Sequence, residues 1–333
     1  MKKILSVDGG GIRGIIPAKI LSELENLDQL RHNNTNLRLT DRFDLFAGTS
    51  TGGLLTSLYL LPDKEDKTKA RYTAQEVFEF YKEFGPKIFR LTPLQIIKSG
   101  GGIFRSRYDE NVLYEFAKRL MGETYVSEVL KDCLITSYDM SSRKALLFSR
   151  YSCGKYGDGA DYKMYDIARS TSAAPTYFAP SYIKAKDDTS RHLVDGGIYA
   201  NNPSMCAIVE SMKLWPEEPF EKLMMVSAGT GKVEKPYFYE QTRRFGYLGW
   251  LVPIIDILMS SVSETVDYQT RQIFALSNNS HSYFRIEPLL TGCDTRMDNA
   301  SKKNMVALET AAQSYLDHNF HVLESIVENF TKA

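Results

Sequence analysis

Apolar residues along this chain fall into two rhythms. Short, nearly unbroken runs predict buried strands at 3–7, 43–47, 134–138, 145–148 and 223–227. Between them the apolar positions recur at helical spacing. Ile16, Ile20, Leu24 and Leu27 share one face of a helix over 15–27, and Thr73 caps a helix that carries Val77, Phe78 and Tyr81. Further helices are predicted over 110–120 and 165–172, after Asn201-Asn202-Pro203, and over 302–327. The strands 134–138 and 145–148 flank a polar turn and read as a hairpin.

Three glycine-rich turns each follow an apolar strand end, at 3–7, 43–47 and 192–194, and the middle one holds a serine. After the strand 43–47 come Gly48-Thr49-Ser50-Thr51-Gly52-Gly53, then a helix over about 54–61. The spacing Gly48-x-Ser50-x-Gly52 is that of a nucleophile elbow, in which small neighbours allow a turn sharp enough to leave the serine hydroxyl exposed above the sheet. The following helix directs free N–H groups and the positive end of its dipole toward that hydroxyl, which makes Ser50 the candidate nucleophile.

The first glycine turn, Asp8-Gly9-Gly10-Gly11-Ile12-Arg13-Gly14, lies between a strand and a helix. Consecutive glycines can turn their N–H groups into a concave nest that suits an anion, either a phosphate or a transient oxyanion. The phosphate-loop pattern is absent, and the dinucleotide fingerprint is not matched. The third turn, Asp195-Gly196-Gly197, follows His192-Leu193-Val194. Asp195 has two readings, as part of a favoured Asp-Gly turn or as an acid at a strand end, where α/β enzymes gather catalytic groups.

Composition narrows the class. The 333 residues are 43% hydrophobic and 25% charged, as in an ordinary globular protein, and one large domain over 1–333 is expected. Lys plus Arg and Asp plus Glu each number 41, so no net field exists to attract nucleic acid. The four cysteines lie far apart without zinc-like spacing and read as buried thiols; no metal or cofactor is expected. The N-terminus lacks the pattern of a signal peptide, so a cytoplasmic location is expected.

Two segments stay open at this level. Residues 84–107, rich in glycine, aromatics and basic side chains, read either as a lid over a substrate mouth or as a plain surface loop. Residues 245–262 are the most apolar run, but Pro253 and Asp256 interrupt it as a membrane span. Leu251, Ile254, Ile255, Leu258, Val262 and Val266 share a helical face, so a core helix is the first expectation. Trp250 and Tyr247 favour a membrane-facing helix instead.

Together and in this order, the three glycine turns closely resemble those of the patatin-like phospholipases. The likeness continues through residues 164–178 and through Ser227-Ala228-Gly229-Thr230-Gly231, and is clearest over 1–235. The resemblance implies a three-layer α/β/α fold with a mostly parallel central sheet. It also implies hydrolysis of fatty acyl esters in membrane phospholipids by a Ser-Asp dyad without histidine. On that reading Ser50 is the nucleophile, Asp195 its general base, and the N–H groups of Gly10 and Gly11 the oxyanion hole, with Arg13 supporting the loop. The enzyme would be cytoplasmic and would associate peripherally with the membrane that holds its substrate. Some bacterial members are anti-phage effectors activated by a cyclic nucleotide; this chain is similar to them in its compact size, and no motif marks a cyclic-nucleotide site. The competing reading is a non-catalytic lipid- or nucleotide-binding module that retains the fold, against which the intact Ser50 and Asp195 argue.

Overall fold

The computed structural model describes residues 1–92 and 106–332. Its centre is an eight-stranded sheet. Strands β1 (Lys2–Val7), β2 (Leu45–Gly48), β3 (Asp132–Asp139), β7 (Leu223–Ala228) and β8 (Tyr283–Ile286) run parallel, in the spatial order β3, β2, β1, β7, β8. Strands β4 (Lys144–Ser149), β5 (Ser181–Lys184) and β6 (Ser190–Asp195) complete it with antiparallel pairings.

Alternation along the central strands sorts their side chains onto two faces. Leu5, Val7, Phe46, Cys133, Ile135, Met224 and Val226 point into the larger core. There they meet helices α1 (Ile15–Arg31), α2 (Thr51–Tyr59), α3 (Ala74–Ile88), α4 (Glu110–Met121), α5 (Met164–Thr171) and the C-terminal α8 (Lys302–Phe330). Ile4, Leu45, Ala47, Leu134 and Met225 point the other way, into a smaller core that includes Ala207 and Ile208 of α6 (Ser204–Leu214) and Phe274 of α7 (Tyr247–Leu276). A sheet buried on both faces by helices is a three-layer α/β/α arrangement, as expected.

Pairing along β3 sets up the site. β4 occupies one edge of β3 from Leu134 to Asp139. The opposite edge is shared: β2 pairs with it up to Ile135, opposite Gly48, and β6 takes over from Ser137, opposite Asp195. Because β6 runs antiparallel, it ends where β2 ends. The residues after Gly48 and the carboxylate of Asp195 therefore emerge side by side.

Two expectations change. The helix after Ser50 begins at Thr51 rather than near Leu54, because Gly52 and Gly53 belong to its first turn. A side chain at Gly52 would strike the Val7 carbonyl, so the glycine is required by the closeness of β1 rather than by a loop. The stretch 245–262 is not a core helix. The end of α7 near Phe274 is buried, but Trp250 is 39% exposed, Ile254 47% and Leu258 45%. Among the described residues no helix is long and apolar enough to cross a membrane. Of the four free cysteines, Cys133 and Cys153 are buried as expected, but Cys206 on α6 and Cys293 in the loop between β8 and α8 are only half-buried.

Candidate active site

Ser50 sits between β2 and α2 with φ 53° and ψ −122°, a left-handed conformation that costs a non-glycine residue roughly 1–3 kcal/mol. The surroundings hold it there. Its N–H donates to Thr171 Oγ1 at 2.8 Å, and the preceding Thr49 hydroxyl donates to the Ala200 carbonyl at 2.6 Å. This is the strained strand-to-helix turn that the glycine spacing predicts.

Ser50 and Asp195 line one narrow cavity of about 60 Å³. Its remaining wall is almost wholly apolar, with Leu54, Phe84, Ile88, Phe116, Phe178 and Met259 prominent. The Gly197 N–H donates to Asp195 Oδ1 at 2.7 Å, while Oδ2 is buried without a hydrogen-bond partner among the described residues. Burial pushes the Asp195 carboxyl up to about 7, and the Ser50 hydroxyl and the Gly197 N–H pull it back down. The serine is thus close enough to stabilise the carboxylate, although no bond of normal geometry joins the two side chains in this arrangement. None of the five histidines lines this cavity, and His192, three residues before Asp195, is exposed.

The glycine loop reaches the cavity at Gly11. A trans peptide directs each carbonyl away from the N–H of the next residue, so fixing a carbonyl also aims the following donor. The Gly9 carbonyl accepts from Thr230 Oγ1 at 2.9 Å and from Asn201 Nδ2 at 3.4 Å. The Gly10 carbonyl accepts from the Arg13 N–H at 3.2 Å and from Arg13 Nε at 3.4 Å. The Gly11 carbonyl accepts from the Tyr81 hydroxyl, and the next donor, Ile12 N–H, is spent on the Met297 carbonyl at 2.8 Å. The N–H groups of Gly10 and Gly11 are left without an acceptor among the described residues. Gly10 is buried and Gly11 half-buried, and an unpaired buried donor is rare unless a ligand or a transient charge uses it. Gly11, at φ 56°, lines the cavity with Ser50.

The predicted site residues thus converge, and several neighbours had no signal of their own in the sequence. Thr51 was assigned to a turn, yet it opens α2 and its N–H has no acceptor among the described residues. In an elbow that N–H, directly after the serine, is a natural oxyanion donor. Tyr81, Thr171, Asn201 and Thr230 brace the loop and the elbow from distant parts of the chain. Beneath the loop, Asp8 pairs with Arg285 of β8 at 2.7 Å, and Arg285 also contacts Ser227 and Glu287. Burial pushes the Asp8 carboxyl up and Arg285 pulls it back, while the facing carboxylates hold Arg285 charged. Of the expected lid at 84–107, Phe84, Ile88 and Phe89 line the cavity, and residues 93–105 lie outside the described residues. Among the described residues no cluster of His, Cys, Asp and Glu is arranged to hold a metal ion.

Patatin-08 of Solanum tuberosum is 35% identical over 95% of this chain and 84% of its own. A protein from the same plant named "Probable inactive patatin-3-Kuras 1" is 34% identical over all of this chain and 92% of its own. The latter's name shows that membership alone does not establish catalysis. VipD from Legionella pneumophila aligns over 97% of this chain and 67% of its own at 10% identity and a TM-score of 0.37, a likeness too slight to carry an argument. The sequence model of the patatin-like phospholipases matches residues 5–208. With a mostly parallel sheet between helical layers, and relatives about 35% identical along nearly its whole length, this chain belongs to the patatin-like phospholipase family.

Proposed function

We propose that the protein is a lipid acyl hydrolase of the phospholipase A type, which cleaves fatty acyl esters of membrane phospholipids through an acyl-enzyme on Ser50. The observation that carries this reading is the shared cavity. It joins a serine in a strained elbow, a buried carboxylate with one free oxygen and Gly11, whose N–H is unpaired like that of the adjacent Gly10, to an apolar wall suited to an acyl chain. Ser50 Oγ bonds to the ester carbonyl carbon as its proton passes to Asp195. The carbonyl π pair moves onto oxygen, where the Gly10 and Gly11 N–H groups stabilise it. When that pair returns, the C–O bond to the alcohol breaks and the alcohol departs with the proton held by Asp195. Water then repeats the sequence on the acyl-enzyme and releases the fatty acid. Histidine takes no part in this scheme.

Peripheral association with a bilayer belongs to the same reading. Trp250, Ile254, Ile257 and Leu258 are exposed along one side of α7, Phe238 and Tyr239 are exposed just before it, and Ile255 and Met259 of the same helix line the cavity. An apolar apron at the mouth of an acyl site suits shallow insertion into lipid.

Lipid profiling of liposomes incubated with wild type, Ser50→Ala and Asp195→Asn tests the proposal, together with a fluorophosphonate probe. Release of fatty acid by wild type alone, with labelling at Ser50, is the expected result. A folded wild type that releases none and takes no label would make the chain a non-catalytic binding module. Cyclic-nucleotide activation has no structural observation behind it and enters as one arm of the assay, in which a panel of cyclic nucleotides is added to the same liposomes.

A further inference from the structure

A second and larger cavity, about 830 Å³, lies against the glycine loop and is lined by Arg13, Asn201 and Thr230 of that neighbourhood together with residues of α7 and the segment after β7. Met259 lines both this cavity and the apolar one that holds Ser50. The two spaces differ in chemistry. The first is a greasy slot, while the second is rimmed by charged side chains of both signs in equal number.

Most of these charges are already paired. Arg285 is held by Asp8 and Glu287, Arg271 by Asp267, and Lys232 by Glu264. Arg13 is different. It is only 7% exposed, its Nε is spent on the Gly10 carbonyl, and among the described residues neither terminal nitrogen has a hydrogen-bond or ion-pair partner. Burial pulls this guanidinium below its ordinary value, and Asp256 is the largest charge acting in the other direction. Asp256 itself has no ion-pair partner among the described residues, and its carboxylate accepts only the Tyr237 hydroxyl, at 2.8 Å. Lys235 at the cavity's edge also lacks an ion-pair partner among the described residues, but it is exposed and already hydrated. The buried Arg13 and the half-buried Asp256 are therefore an unmatched cation and an unmatched anion bordering one cavity, too far apart to pair with each other.

A purely anionic ligand would be attracted by Arg13 and repelled by Asp256; a purely cationic one would meet the reverse. A ligand that carries both charges a few bonds apart satisfies both. We propose that this cavity is the headgroup site for zwitterionic phospholipids, with the phosphate on the terminal nitrogens of Arg13 and the ammonium on Asp256. Guanidinium matches phosphate through parallel N–H bonds, and the Tyr237 and Tyr268 rings at the rim suit a cation as well. The inference rests on the phospholipase reading. It adds that Asp256, on a helix beyond the region matched by the family model, sets headgroup preference.

The test compares phosphatidylethanolamine with phosphatidylglycerol of identical acyl chains in neutral detergent micelles. Wild type should favour the zwitterion by about tenfold in kcat/KM, a difference of about 1.4 kcal/mol. Asp256→Asn should abolish the preference and Asp256→Lys reverse it, with hydrolysis of p-nitrophenyl butyrate unchanged in both. An unaltered ratio in Asp256→Lys, or a wild type that prefers phosphatidylglycerol, overturns the headgroup site and leaves the lipase reading intact. Cleavage of p-nitrophenyl butyrate without cleavage of either lipid instead overturns the phospholipase reading. In that event, titration calorimetry of Ser50→Ala with glycerophosphoethanolamine still decides the cavity: heat that Asp256→Lys removes supports the site, and its absence overturns it.

Discussion

The Tyr81 hydroxyl donates to the carbonyl of Gly11, and because it has one proton it must accept from Thr51 Oγ1 on its other side. One side chain of α3 thus ties the glycine loop to the first turn of the nucleophile helix. On the proposed mechanism this link holds the oxyanion donors in register with Ser50. Tyr81→Phe keeps the ring in the cavity wall and removes the link. The expected outcome on a soluble ester is a fall in kcat of about tenfold, the worth of one ordinary hydrogen bond, with KM nearly unchanged. A raised KM with normal kcat would reduce Tyr81 to a wall residue.

Gly11 and Gly122 make an internal control for backbone strain. Both have positive φ, but a Cβ at Gly122 meets nothing within 4 Å, whereas one at Gly11 runs into the Met297 carbonyl. Gly122→Ala should cost about 1 kcal/mol in urea unfolding, from the left-handed conformation alone. Gly11→Ala should cost clearly more and also lower kcat, since the loop can accept the methyl only by shifting its N–H groups. Equal losses of stability in the two variants would mean that the loop yields freely.

Ser50, Asp195 and the glycine loop were legible in the sequence because each is a local device: a strand end, a sharp turn and small residues at fixed offsets. The layered sheet was legible through the family resemblance and the short, nearly unbroken apolar runs. Tyr81, Thr171, Thr230 and Arg285 were not, because their contacts join residues far apart in the chain and no spacing rule reaches them. The exposed half of α7 was misjudged since an apolar stripe looks the same whether it packs on a core or faces lipid. The titration of Asp195 was also hidden, because burial is a property of the fold.

The apron on α7 leads to a binding prediction. Trp250→Ala and Ile254→Asp remove or oppose apolar insertion without touching Ser50 or Asp195. Liposome co-sedimentation should weaken in both, and by similar amounts at low and high salt, because the attraction is apolar. Hydrolysis of a soluble ester should be retained. Unchanged sedimentation of both variants would remove this helix from the membrane surface.

Burial of Asp195 also makes a stability prediction. Its folded value, about 7, lies above the ordinary carboxylate range, so the folded protein keeps a proton that the unfolded chain has released. Stability from this group is therefore present in full below about pH 4 and is lost as pH rises through 7. Asp195→Asn, which has no charge to bury, should melt higher than wild type at pH 8, and the advantage should vanish toward pH 4. If the variant is no more stable at pH 8, the carboxylate is not held at a cost.

The same shift changes what a pH profile can reveal about the base. An ordinary carboxylate would sustain hydrolysis well below the pH at which an imidazole protonates, and that contrast would mark a dyad without histidine. With Asp195 pushed up to about 7, the contrast disappears. The group must be ionised to accept the Ser50 proton, so kcat/KM should fall with a midpoint near 7 as pH is lowered. An imidazole, ordinarily near 6.5, would give almost the same curve. The discriminating measurement is the profile of variants. Each His→Ala protein should retain the limb, His192→Ala included, since that side chain is exposed and outside the cavity. Asp195→Asn should lose activity at every pH, and Asp195→Glu, if it retains activity, should move the midpoint because its longer side chain changes the burial that sets it. A folded histidine variant whose acid limb disappears would place the base outside the Ser50–Asp195 cavity.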